Sequence, residues 1–160
     1  SPLWQSGFGL LQRYRLSFDL QLNPHQFRKA VSLLADNPDV PVIINHLGSP
    51  MLRDLTHDAE QYWDGMSKFA AMPNTFMKIS MLCYTDENWD QNPTVVDAIH
   101  RIIRLFGSQR CLFATNSPVD AKDGWPPKRL LASLLRLVKA YPDDDITNLF
   151  GDTARRAYRM

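Results

Sequence analysis

Val40-Pro41-Val42-Ile43-Ile44-Asn45-His46-Leu47-Gly48-Ser49-Pro50 is the stretch on which the reading of this chain turns. Val40 to Ile44 is a short, β-branched apolar run with Asn37-Pro38-Asp39 before it and Gly48-Ser49-Pro50 after it. An unbroken apolar run between turn residues fits a strand buried on both faces, as in a parallel sheet covered by helices. It also sets Asn45 and His46 at the C-terminal end of that strand.

Upstream, Leu16, Phe18, Leu20 and Leu22 alternate with Ser17, Asp19 and Gln21, which predicts a strand from Leu16 to Leu22 with one packed face. Asn23-Pro24 ends it and opens a helix to about Asn37: Asn is a good N-cap, Pro suits the first helical position, and Phe27, Ala30, Val31 and Leu34 recur at spacings of three and four. Downstream, Tyr62, Trp63, Met66, Phe69 and Ala70 predict a helix that Pro73-Asn74 terminates, and Phe76 to Leu82 reads as a third strand. A loop from Thr85 to Pro93 leads to a helix carrying Val95, Val96, Ile99, Ile102, Ile103 and Phe106, closed by Gly107, and then to a strand from Arg110 to Thr115. Leu130, Leu131, Leu134, Leu135 and Val138 give another helix, and an acidic turn at Asp143 to Asp145 precedes a last short helix, Asp152 to Tyr158. Four strands alternating with helices predict parallel βαβ units, either in an open doubly wound sheet or in part of a (β/α)8 barrel.

The 160 residues are 44% hydrophobic and 22% charged, the composition of one globular domain covering 1–160. With 18 basic and 17 acidic residues interspersed, a net charge of +1 offers no footprint for nucleic acid or anionic lipid. No apolar run approaches the roughly 20 residues that span a bilayer, and the N-terminus lacks a signal-peptide pattern, so a soluble, cytoplasmic protein is expected. Cys83 and Cys111 form no CxxC pair, which fits a reducing compartment and argues against a zinc knuckle or disulfide framework. There is no glycine-rich phosphate loop. Because Ser1-Pro2 runs at once into apolar residues, the natural chain is expected to begin upstream.

Barrels carry their reactive groups at the C-terminal ends of strands. Here those ends hold Asp19, Gln21 and Asn23, then Asn45-His46, then Lys78 and Ser80, then Asn116-Ser117-Pro118. A lone histidine after an apolar run is more often structural than functional. Four strands that all deliver hydrogen-bonding groups to one rim, where folding requires none, favour a site. Lys78 shares the face of Ser80 and opposes Met77, Ile79 and Met81, so it points into the barrel either to meet a substrate carboxylate or to pair with Asp19. Trp89 and Trp125 are candidates for a rim pocket, whereas Trp63 falls on an apolar helix face. His25 and His100 lie in helices and His57 in a loop, and no two histidines have the spacing of a metal-ligand pair. Cys83, without a neighbouring histidine, reads as a small packing residue.

Val42 to Pro50 resembles the "V-x-x-D-H-x-G-x-P" segment of the amidohydrolase-related family (amidohydrolase 2), the branch of sugar-lactone and pyrone-dicarboxylate lactonases. Phe18-Asp19-Leu20 is similar to the family's "F-D-L", Pro73 to Ser80 to "P-N-V-x-x-K-L-S", Arg110 to Val119 to "R-x-x-F-G-S-D-W-P-V", and Phe150 to Tyr158 to "F-x-x-N-A-x-R-x-Y". Five such segments in order over nearly the whole chain imply strands five to eight, the C-terminal half of a TIM barrel of the metal-dependent hydrolase type. The resemblance implies hydrolysis of a lactone or similar cyclic ester, at a C–O or C–N bond. It also implies a divalent metal, zinc or manganese, in some members and none in others. His46 and Asn116 then fall at catalytic positions, His46 also being the metal residue, with Asp19, Gln21, Lys78 and Ser80 binding substrate.

Two departures bear on that inference. The family's first-strand H-x-H pair has no counterpart here, and Asn116 stands where the family has an aspartate base. An amide orients a water or substrate but does not take its proton. Asp19 and Asp120 are carboxylates near the same rim, although aspartates at strand ends are commonly turn or cap residues. The alternative is a degenerate, non-catalytic half-barrel that binds a small carboxylate ligand or a protein partner. Four strands do not close a barrel, so the expected partners are a missing N-terminal half or another copy in a homo-oligomer, besides a small-molecule substrate.

Overall fold

A computed structural model describes residues 2–160. Four strands, β1 (Phe18–Leu20), β2 (Val42–Ile44), β3 (Thr75–Ile79) and β4 (Cys111–Phe113), form one parallel sheet in the order β1-β2-β3-β4. A doubly wound sheet reverses its strand order at a switch point. The unreversed order therefore selects barrel-type winding from the two architectures the periodicity left open. The helices are α1 (Pro2–Arg13), α2 (Phe27–Ala35), α3 (Leu52–Thr56), α4 (Ala59–Ala70), α5 (Leu82–Thr85), α6 (Pro93–Phe106), α7 (Val119–Lys122), α8 (Pro127–Val138), α9 (Asp143–Thr147) and α10 (Thr153–Tyr158). Among the described residues no helix is long and apolar enough to cross a membrane.

Side-chain alternation divides the sheet into two faces. Val42, Ile44, Met77, Ile79 and Cys111 enter the main core, where Phe27, Tyr62, Met66, Phe69 and Ile99 of the surrounding helices meet them. On the other face Ile43 and Leu112 pack with Phe76 against Ala154, Ala157 and Tyr158 of α10. Those three α10 residues sit at i, i+3 and i+4, the spacing of one helical stripe. Ser17 Oγ donates to the Ala157 carbonyl at 2.8 Å and Thr153 Oγ1 to the Ser108 carbonyl at 2.9 Å, so α10 is tied to the chain entering β1 and to the chain entering β4. Arg110, in the segment that enters β4, donates to the carbonyls of Phe106, Ala70 and Met72 at 3.0, 2.9 and 2.9 Å, which fastens the strand's start to the ends of α4 and α6.

Several elements differ from their expected bounds. The strand expected from Phe76 to Leu82 ends at Ile79: Met81 takes a left-handed conformation (φ 53°) and Leu82 opens α5. Leu82 is buried from a helical turn rather than a strand, so the apolar run outlasts the strand that it was taken to mark. The first strand is Phe18–Leu20 rather than Leu16–Leu22, and Asp143 to Asp145 form the first turn of α9, where carboxylates meet the positive end of the helix dipole. The helix α1 had no sequence expectation. It is anchored by Phe8, whose ring stacks on Trp4 at 5.4 Å and meets Phe18 edge-on at 5.2 Å.

Phe27 fixes how closely α2, α4 and the turn after β2 approach one another. A Cβ on Gly48 would lie 2.6 Å from Phe27 Cζ and 2.7 Å from Met66 Cε, and one on Gly65 would lie 2.4 Å from Phe27 Cδ2. Gly48 also has φ +73°, which side chains rarely adopt. Gly48→Ala should therefore cost about 2–4 kcal/mol, read as a lowered urea midpoint at unchanged m. An unchanged midpoint would contradict this packing.

Candidate functional site

The chain leaves β2, β3 and β4 through tight turns at adjacent ends of the sheet. His46 (φ 58°), Leu47 (54°), Ser49 (49°), Met81 (53°) and Asn116 (49°) are all left-handed, and none is glycine. Each such residue costs on the order of 1–3 kcal/mol and persists only where its surroundings hold it. Tyr62 OH donates to the Leu47 carbonyl and Thr85 Oγ1 to the Pro50 carbonyl, both at 2.8 Å. Asn45 N–H donates to Leu20 O at 2.9 Å and Ala114 N–H to Ile79 O at 3.1 Å, continuing the ladder one step past the strands.

On this rim His46 Nδ1 lies 2.8 Å from Ser80 Oγ, and Ser80 is almost wholly buried. Burial lowers the His46 pKa, and the Lys78 ammonium lowers it further against the smaller pull of Asp120 and Asp19. The imidazole is thus biased toward its neutral form, able to accept a proton at one nitrogen. Lys78 is hydrogen-bonded to Asp19 as an ion pair, and Tyr158 OH donates to the same Asp19 oxygen at 2.8 Å. The Lys78 ammonium also stands 5.3 Å from the centre of the Tyr158 ring. Of the two readings of Lys78, the structure shows the pairing with Asp19. Burial and the Asp19 carboxylate push the Tyr158 hydroxyl pKa up.

At the end of β4, Asn116 Nδ2 donates to Asp120 Oδ1 at 2.7 Å, and Asp120 is only 1% exposed. Cys83 belongs here too: burial first, then the Asp120 and Asp123 carboxylates, push its thiol up to about 11. Asp19, His46, Lys78, Ser80 and Asn116 are therefore all rim residues, joined by Asp120, Tyr158 and Cys83. Tyr158 carried no sequence signal for this place, because its helix reaches β1 only through the fold.

Gln21 is placed apart. It is exposed in a groove of about 360 Å³ with Leu20, Leu22, His25 and Lys29. Trp89 and Trp125 line no rim pocket: both are buried, their ring centroids are 5.1 Å apart, and Trp125 Nε1 donates to the Glu87 carbonyl at 2.9 Å. His25 and His57 are exposed, while His100 Nδ1 lies 2.7 Å from Tyr141 OH. A cavity of about 300 Å³ lies beside the rim between Asn23, His25, Ser49, Arg53 and Tyr84. Among the described residues no three His, Cys, Asp or Glu side chains converge on a metal position.

The Amidohydrolase family model matches residues 1–160. The chain belongs to the amidohydrolase family. The uncharacterized protein y4mH of Sinorhizobium fredii is 38% identical over 160 residues, which make up 100% of this amidohydrolase chain and 52% of that protein. A solved amidohydrolase from Burkholderia multivorans, with bound zinc, superposes on 98% of this chain and 57% of its own with a TM-score of 0.86 at 18% identity. A probable 2-pyrone-4,6-dicarboxylic acid hydrolase from Acinetobacter baumannii, with citric acid bound, covers 100% of this chain and 58% of its own, with a TM-score of 0.81 at 13% identity. This amidohydrolase chain thus spans about half the length of the relatives it matches. Its sheet is the C-terminal half of a TIM barrel of the metal-dependent hydrolase type.

The depressed His46 pKa gives a signed expectation. From its ordinary value of 6.5 downward the unfolded chain binds the proton first, so the His46 contribution to stability is present above 6.5 and is lost as pH falls through the folded value. By NMR titration the His46 midpoint should lie below 6.5 and rise in Lys78→Met. A midpoint at or above 6.5 in the unaltered protein would contradict the burial and charge arrangement.

Proposed function

We propose that this chain is the strand-five-to-eight half of a hydrolase that opens a lactone or similar cyclic ester, with His46 as its proton-transfer group. The observation that carries the reading is the His46 ring itself, fixed on Ser80 at a strand end and biased toward neutrality. Hydrolysis adds water to the carbonyl carbon, breaks the acyl C–O bond and moves one proton from the water to the departing oxygen. A neutral imidazole serves both halves of that transfer, first as base and then, protonated, as acid. Nδ1 is engaged by Ser80, which leaves Nε2 for this work. Asn116 orients the water through its amide, and the Asp19–Lys78 pair with Ser80 frames the substrate. The same transfer serves a C–N bond.

A divalent ion, zinc or manganese, would polarise the carbonyl and acidify water. The rim offers His46 as one ligand, while Asp19 is engaged by Lys78 and Tyr158 and Asp120 by Asn116. Residues 2–160 do not by themselves make a metal site. A second reading, a half-barrel that binds a small carboxylate or a protein without turnover, is favoured by the amide at position 116. Association with a further copy, or with a chain supplying strands one to four, is supported by the open edges of β1 and β4 and by exposed Leu3, Leu10 and Leu16. A cytoplasmic setting fits the free thiols of Cys83 and Cys111.

Ring opening of aldono-1,4-lactones and of 2-pyrone-4,6-dicarboxylate, followed by acid release, tests the reading. His46→Asn should lower kcat about 10²–10⁴-fold at an unchanged melting temperature. Wild-type turnover in that variant would overturn the role of His46. Lactone binding without turnover in the unaltered protein would favour the second reading.

A further inference from the structure

Asp120 is a carboxylate in a place where a carboxylate is costly. It is 1% exposed, Oδ1 accepts from Asn116 Nδ2 at 2.7 Å, and Oδ2 is buried with no hydrogen-bond partner among the described residues. No lysine or arginine among the described residues pairs with it. An unsatisfied buried acceptor costs about 1–3 kcal/mol, and more when charged, so helix initiation alone does not account for this residue. Its nearest polar partner is the amide at the end of β4, with the Cys83 thiol also facing it. The same helical turn holds the backbone of that residue, because Val119 N–H and Asp120 N–H both donate to Asn116 O, at 2.9 and 3.3 Å.

An asparagine amide has a donor prong and an acceptor prong, and by itself it presents either one to a site. A carboxylate has only acceptors. Placed against Asn116, Asp120 admits one orientation of the amide, with Nδ2 inward and Oδ1 on the opposite prong. Asn116 is in addition held left-handed at φ 49° and half-buried, so its side chain has little freedom to turn elsewhere.

We propose that Asp120 is a positioning residue that locks the Asn116 amide with Nδ2 toward α7 and Oδ1 toward the rim, so that position 116 offers the attacking water a fixed acceptor. The proposal rests on the hydrolase reading above, in which His46 takes the proton and Asn116 only orients. It requires a side chain at position 120 that carries acceptors only. Asp120→Asn offers Asn116 a donor as well as an acceptor and so holds the amide only in part, whereas Asp120→Ala does not hold it.

Kinetics and side-chain NMR together test it. With an aldono-1,4-lactone as substrate, Asp120→Ala should lower kcat about 10–100-fold with KM changed less than about threefold, the scale of a misplaced reactant, and Asp120→Asn should recover part of the loss. Equal impairment of both variants would overturn the lock in favour of a role for the charge, and full activity in Asp120→Ala would overturn it outright. Independently of turnover, the Asn116 side-chain amide protons should exchange slowly in the unaltered protein and rapidly in Asp120→Ala, with Asp120→Asn between the two. A slowly exchanging amide in a protein that opens no lactone would uphold the lock and sink the hydrolase reading. A rapidly exchanging amide in the unaltered protein would sink the lock whatever the turnover.

Discussion

Val42, Ile43 and Ile44 leave almost no surface to water, at 1%, 0% and 0% exposure, and the rim depends on that double burial. Val42 and Ile44 are covered by α2 and α4, whose approach is set by the Phe27 ring against Gly48 and Gly65. Ile43 is covered by α10. A strand closed from both sides cannot slip by one residue without exchanging its faces, so the register that aligns Ile43 with Asp19 and Phe76 is firmly specified. His46 then emerges two residues beyond the strand's end, beside Ser80, the residue that follows the neighbouring strand.

Burial and the Lys78 ammonium together bias that histidine toward its neutral form. Lys78 repels a proton on His46 while its own charge is taken up by Asp19 and the Tyr158 ring. Asp120 pulls the other way from behind Asn116. The last helix thus has two tasks on one face: Ala154 and Ala157 seal the sheet, and Tyr158 helps to fix the Asp19–Lys78 pair. In a half-barrel this coupling matters, because α10 covers a face that other strands enclose in a complete one.

Much of this was legible in the residue pattern, for physical reasons. The β-branched run at Val40 to Ile44 marked a doubly buried strand, and the strand ends that the pattern singled out do meet, Lys78 pairing with Asp19 and Ser80 lying against His46. The choice between an open sheet and a barrel depended on strand order, which local periodicity does not encode. Gln21 was misplaced because alternation was extended past Leu20, where the strand stops. Trp89 and Trp125, candidates for a rim pocket by sequence, instead pack ring against ring in the core. Tyr158 and Cys83 come to the rim through tertiary contacts 139 residues from Asp19 and across from Asp120, distances no local pattern spans.

The most direct measurement is chemical-shift mapping of the protein with an aldono-1,4-lactone or its ring-opened acid. If the strand ends are the site, the perturbed resonances are those of His46, Ser80, Lys78 and Asn116. Perturbation confined to His25, Arg53 and Tyr84, around the neighbouring cavity of about 300 Å³, would contradict that placement.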